Sequence, residues 1–162
     1  MCMTIYIIPS KNLFKFGFKI TDDSKNPIGS ITGRALEIEW KLSVSTRAGS
    51  ARISTTIGAF NTKMEVDVGG RKVTIVRKPS LFNTRVDITG FPWVIKGVCE
   101  NYNYKIVDGK KLIARISKAG SFGGKIAVEI TNPSDELYVT AVVAAMIAAN
   151  DAGATRRAME NC

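Results

Sequence analysis

Histidine is missing altogether from the side chains that could do chemistry: the 162 residues contain none. That removes the commonest general base and metal ligand, and with it Ser-His-Asp and Cys-His nucleophilic arrangements. Cys2, Cys99 and Cys162 stand alone, without the paired spacing of a zinc or dithiol site. Their odd number and isolation speak against a disulfide framework and suit a reducing compartment. Cys99 reads as a small apolar residue on or beside a strand. Asp22, Asp23, Asp67, Asp87 and Asp108 fall at turns or strand ends, without the loop of an EF-hand. Gly120-Ser121-Phe122-Gly123-Gly124-Lys125 has the glycines and lysine of a phosphate loop. No Ser or Thr follows the lysine, however, and a strand pattern follows instead of a helix, so a hairpin loop is the better reading. The expectation is a protein that is not an enzyme and carries neither metal nor cofactor.

What is left is positive charge. The net charge is +9, and residues 1–132 carry 21 basic and 10 acidic side chains, against 2 and 4 over residues 133–162. Such a field attracts nucleic acid, phospholipid headgroups or acidic proteins. Two basic pairs stand out. Arg71-Lys72 follows Gly69-Gly70, and Lys110-Lys111 follows Gly109, 39 positions later. Arg77, Lys78, Arg115 and Lys118 lie just beyond. If the two units are neighbours, these eight charges converge into one patch for phosphate groups, and Arg71, Lys72, Arg77, Lys110, Lys111 and Lys118 are the candidate ligand-binding residues. Each exposed cation contributes about 1 kcal/mol at an anionic membrane. The alternative is that turn and edge cations only keep strands soluble and block edge pairing.

These residues must be positioned by strands. From Ile5 to Ile130 short runs of β-branched and aromatic residues alternate with polar ones, and turn residues interrupt them every eight to twelve positions. That is the rhythm of an all-β sandwich or barrel. Val68-Gly69-Gly70-Arg71-Lys72-Val73 and Val107-Asp108-Gly109-Lys110-Lys111-Leu112 are two tight glycine hairpins. Each leads into a basic strand and then a loop with Ser and Phe, Ser80-Leu81-Phe82 and Ser121-Phe122. The length suits one domain, taken as residues 1–155 with a short tail over 156–162.

The pattern changes at Asn132. Asn132 can cap a helix, Pro133 suits its first position, and Asp135 and Glu136 suit the positive end of its dipole. Gly153 is the expected stop. From Leu137 to Asn150 the 14 residues carry no charge. Val139, Val142, Val143, Met146 and Ile147 follow one helical stripe, and Ala141, Ala144, Ala145, Ala148 and Ala149 another on nearly the opposite face. A surface helix shows one apolar face; one apolar all round lies in a core or a membrane. Spans need about 20 apolar residues, so the core is expected and no transmembrane span.

The order of these elements resembles the LURP-one-related family, relatives of the Tubby-like domains and phospholipid scramblases. The carrying residues are Ile95-Lys96-Gly97, then Tyr104-Lys105-Ile106-Val107-Asp108-Gly109 and Ile113-Ala114-Arg115-Ile116-Ser117-Lys118. Lys125-Ile126-Ala127-Val128-Glu129-Ile130, Asp135-Glu136-Leu137 and the apolar helix complete the run. The resemblance implies a mainly β fold: a closed antiparallel barrel of about twelve strands enclosing a central hydrophobic C-terminal helix. It brings no catalytic residues. Tubby-like relatives bind phosphoinositides through basic barrel residues, so a binding module for anionic membrane lipids is the leading expectation. A structural or protein-interaction domain comes second. Nucleic-acid binding comes third, without a motif to support specific recognition. The first nine residues lack a basic n-region and are too short for a signal peptide. A cytoplasmic protein, peripherally membrane-associated on the lipid reading, is expected.

Overall fold

The computed structural model describes residues 2–9, 16–36, 39–57, 61–78, 85–120 and 124–160. The Ser80-Leu81-Phe82 and Ser121-Phe122 loops lie outside the described residues. Twelve strands follow one another: β1 (Met3–Pro9), β2 (Phe16–Asp22), β3 (Pro27–Leu36), β4 (Glu39–Thr46), β5 (Gly49–Ile57) and β6 (Thr62–Val68). They continue as β7 (Arg71–Lys78), β8 (Arg85–Thr89), β9 (Val94–Val98), β10 (Asn103–Asp108), β11 (Lys111–Lys118) and β12 (Ile126–Ile130). One helix, α1 (Glu136–Glu160), follows.

All twelve strands form one antiparallel sheet in the order β8-β7-β6-β5-β4-β3-β2-β1-β12-β11-β10-β9. Strands that are neighbours in the chain pair with one another except β8 and β9, and β1 pairs with β12 through Met3↔Ile130 to Ile7↔Ile126. The sheet curls into a barrel that is nearly closed. Among the described residues no ladder joins β8 to β9, so a seam runs between them. Strand alternation sets the two faces. On β6, Met64, Val66 and Val68 are buried while Lys63, Glu65 and Asp67 are exposed. Strands of period 2 with one apolar side put that side into the barrel.

The two stripes of α1 explain what fills the barrel. Val139, Val142, Val143, Met146 and Ile147 are buried, and so are Ala141, Ala144, Ala145, Ala148 and Ala149. Both faces therefore meet the inner wall, where Ile5, Ile31, Ile53, Ile75, Ile106 and Ile116 are inaccessible to solvent. The helix backbone comes within 8 Å of β4, β5 and β6, an approach that small side chains allow. Leu137, at the mouth, is only half-buried. Asn132 caps as its type suggests, its Oδ1 accepting from the Ser134 N–H at 3.1 Å. Pro133 opens a 3₁₀ turn over Pro133–Asp135, and α1 proper starts at Glu136. Gly153 does not stop the helix, which runs on to Glu160. An interior glycine costs only about 1 kcal/mol against alanine, and the alanines and arginines around it favour the helix.

Strict alternation of strand direction sorts the connections between two ends. The β2–β3, β4–β5, β6–β7, β8–β9 and β10–β11 turns share the end at which α1 enters. The β9–β10 connection and the far end of α1 share the other. Gly97 lets edge strand β9 lie close to β10. It holds φ at +128°, and a Cβ there would come within 2.5 Å of the Asn103 carbonyl oxygen. That is the physical content of Ile95-Lys96-Gly97.

Candidate anion-binding end of the barrel

The two basic hairpins form as expected. Val68 pairs with Arg71 across Gly69-Gly70, whose φ values are +57° and +80°. Asp108 pairs with Lys111 across Gly109-Lys110, with Gly109 at φ +59°. Both are two-residue turns that need glycine's left-handed backbone. Both lie at the helix-entry end, so Arg71, Lys72, Lys110 and Lys111 share one end of the barrel, all exposed.

Between them lies the β8–β9 connection, Gly90-Phe91-Pro92-Trp93. Arg71 shares the inward-facing column of β7 with Val73 and Ile75, and at the rim it bends over this connection. Its Nη2 donates to the Gly90 carbonyl at 2.6 Å, and its guanidinium lies 4.3 Å from the Phe91 ring centroid. Phe91 stacks on Trp93 at 4.9 Å and meets Tyr138 of α1 edge-on at 5.1 Å. Arg71 thus ties the β6–β7 hairpin to an aromatic lid over the helix. At the same end Glu136 is buried and pairs with Arg47, Nε to Oε1 at 3.3 Å. In the β2–β3 turn, Asp22 accepts from the N–H groups of Asn26 and Ser24 at 2.9 Å each. The Asn26 hydrogen bond in particular holds its carboxyl below the usual carboxylate range.

Arg77 and Lys118 lie at the opposite end, so the six cations do not make one patch. Arg77 continues the inward column after Val73 and Ile75, and only 11% of its side chain is exposed. Its Nη2 lies 2.9 Å from Glu100 Oε1, and its Nη1 donates to the Asn150 Oδ1 of α1. Asn150 in turn donates to the Cys99 carbonyl at 3.0 Å. This network fastens α1 at Asn150, where the helix reaches the far rim of the barrel, and holds Arg77 inward. Burial pushes the Cys99 thiol up to about 11, and burial also holds the Tyr104 phenol well above its usual range. Neither is prepared to act as a nucleophile.

On the outer wall, Arg52, Asp67 and Lys72 stand in one cross-strand row, opposite charges side by side, along a shallow depression of ≈ 360 Å³. Lys72 therefore faces an acid on its own sheet. A second row was not legible in the sequence: Lys96, Lys105 and Arg115 stand directly opposite one another on β9, β10 and β11. Among the described residues no three Cys, Asp or Glu side chains converge as a metal site would require. No helix of the described residues is long and apolar enough to cross a membrane.

The LURP-one-related family model matches residues 3–147. The chain belongs to the LURP-one-related family. The match spans the whole barrel and most of the buried part of α1, so the family's pattern and the wrapped helix coincide. No curated protein matches this LURP-one-related chain in sequence. Among solved structures it is similar to an X-ray structure of a protein from Arabidopsis thaliana. The TM-score is 0.57 and the identity 12%, over 92% of this chain and 91% of that one. At that identity the likeness concerns the fold alone. A LURP-one-related barrel with a filled interior and charged rims fits a binding module, with its surface rather than its cavity available to a partner.

Proposed function

We propose that this LURP-one-related barrel is a non-catalytic binding module for the anionic headgroups of phospholipids at a membrane surface. The observation that carries the reading is the shared end of the two basic hairpins. Lys72, Lys110, Lys111 and Arg71 flank a connection bearing Phe91 and Pro92, so cations surround a partly apolar tip. The resemblance to Tubby-like barrels points the same way. On this reading the protein is cytoplasmic and peripheral, and it performs no reaction: it has no histidine, and its buried thiol and phenol are held protonated.

Sedimentation with phosphoinositide-containing vesicles tests the proposal. Replacing Lys72, Lys110 and Lys111 with Gln, while leaving Arg71 on Phe91, removes three cations worth about 1 kcal/mol each. At about 1.4 kcal/mol per tenfold, affinity should fall roughly 100-fold, with the melting temperature nearly unchanged because exposed turn residues contribute little. Binding should also weaken from physiological salt to 1 M, as the Debye length shrinks from about 8 to about 3 Å. Equal affinity for duplex DNA of the same phosphate concentration would mean unselective charge attraction. No binding to any anionic vesicle at low salt would favour a protein-interaction domain instead.

A further inference from the structure

We infer that the outer wall of β9, β10 and β11 is the face this barrel lays against an anionic bilayer, with Lys96, Lys105 and Arg115 on lipid phosphates and Val94 and Val98 among the headgroups. This rests on the membrane reading above and adds a surface that the basic hairpins do not include.

The register carries the argument. Lys105 pairs with Lys96 on one side and with Arg115 on the other. All three are exposed, on strands whose alternate residues Ile95, Tyr104, Ile106, Ala114 and Ile116 are buried. Directly opposed residues have Cβ atoms roughly 5 Å apart, and like charges there work against the sheet. On the other wall the same sheet does the reverse and alternates Arg52, Asp67 and Lys72. Among the described residues none of the three cations of the β9–β11 row forms a salt bridge. The row ends at Glu129, the partner of Arg115 on β12. Three adjacent cations, with an acid in the row only beyond Arg115, are a site for more than one phosphate at once.

Apolar exposure singles out the same face. Among the described residues the exposed large hydrophobics are Val94, at 47%, and Val98, at 45%. They stand two residues either side of Lys96, on the outward side of β9. Val94 pairs with Val107, and Val107 with Leu112, both half-buried, so an apolar row lies beside the cationic one. Lys110 and Lys111 crown the same hairpin. A cationic row bordered by exposed aliphatic side chains matches the chemistry of an anionic bilayer, which offers phosphates and, just beneath, hydrocarbon. A nucleic-acid backbone offers only the first.

Vesicles of phosphatidylcholine containing about one-fifth phosphatidylserine, beside pure phosphatidylcholine, supply the test for an anionic surface. The full chain should bind the former. Lys96→Gln/Lys105→Gln/Arg115→Gln should lower that affinity about 100-fold by the same arithmetic. Its melting temperature should hold or rise, because opposed like charges are gone, an outcome that lost folding cannot imitate. Val94→Thr/Val98→Thr keeps β-branching and charge and should still weaken binding several-fold, at high salt as at low. If the wild type fails to bind, the membrane reading itself falls. If the wild type binds and the triple variant binds equally, only the assignment of this wall falls. If the triple variant loses binding and the valine variant does not, the occupant is not a bilayer.

Discussion

Arg77 offers a sharp test of whether a cation on this barrel serves the surface or the core. Arg77→Met keeps the inward packing volume and removes the head group. Asn150 Oδ1 then loses a charged donor inside the far end of the barrel, a contact of a kind worth about 1.5–3 kcal/mol. The pair with Glu100, 43% exposed, is discounted to at most about 1 kcal/mol for solvent screening. A loss of about 2–4 kcal/mol follows, which for a domain of this size lowers Tm by about 5–15 °C. Thermal and urea unfolding followed by circular dichroism measure it. Asn150→Ala in the Arg77→Met background should cost less than in wild type, since the two act together. Vesicle binding of folded Arg77→Met should match wild type. A Tm within 1–2 °C of wild type, or lost vesicle binding at unchanged Tm, would refute the reasoning and return Arg77 to the ligand-binding set.

Val143→Asp should prevent folding, because Val143 is fully buried and an unpaired buried carboxylate costs several kcal/mol; a soluble variant with wild-type Tm would overturn the central helix. Cys99 should resist thiol reagents in the folded Cys162→Ser protein while Cys2 reacts, because one is buried and the other exposed. Its folded thiol ionises near 11 rather than 9.0. The unfolded chain therefore gains charge first, and stability present below pH 9 should be lost between pH 9 and 11, by about 2–3 kcal/mol at 1.4 kcal/mol per pH unit. Cys99→Ala should flatten that part of the urea-midpoint profile; a profile identical to wild type would sink the explanation.

Much of the fold was legible because it rests on local periodicity. Two apolar stripes, one bulky and one of alanine, admit few placements other than inside a wall. Paired glycine hairpins announced antiparallel neighbours. The site was less legible because it depends on quantities that local patterns do not hold. Arg77 belongs to the same basic run as Arg71 and Lys72, yet its even spacing from Val73 and Ile75 assigns it inward, a signal that its charge conceals. Lys118 looked near Lys111, but eight strand residues put them at opposite ends. The Lys96, Lys105 and Arg115 row depends on register, which the shift between Ile106 and Val107 and the close approach at Gly97 adjust. Nothing local predicts it. The unjoined β8–β9 seam was equally out of reach, since a barrel and its opened form share one strand pattern.

The pairing of β1 with β12 has a consequence for how the chain assembles. A nascent chain can zip β1 through β8, and separately β9 through β11, hairpin by hairpin as it leaves the ribosome, because those contacts are local and form early. Ile5 cannot meet Val128, nor the inner wall meet Val143, until residues 126–150 have emerged. At about 5–20 residues per second, seconds pass in which a curled sheet holds an uncovered apolar lining. Growth of the wall and closure of the wall are thus separate events, and the interval between them is when aggregation or chaperone capture competes. A stop codon or stall just before Asn132 would leave the molecule in that interval permanently.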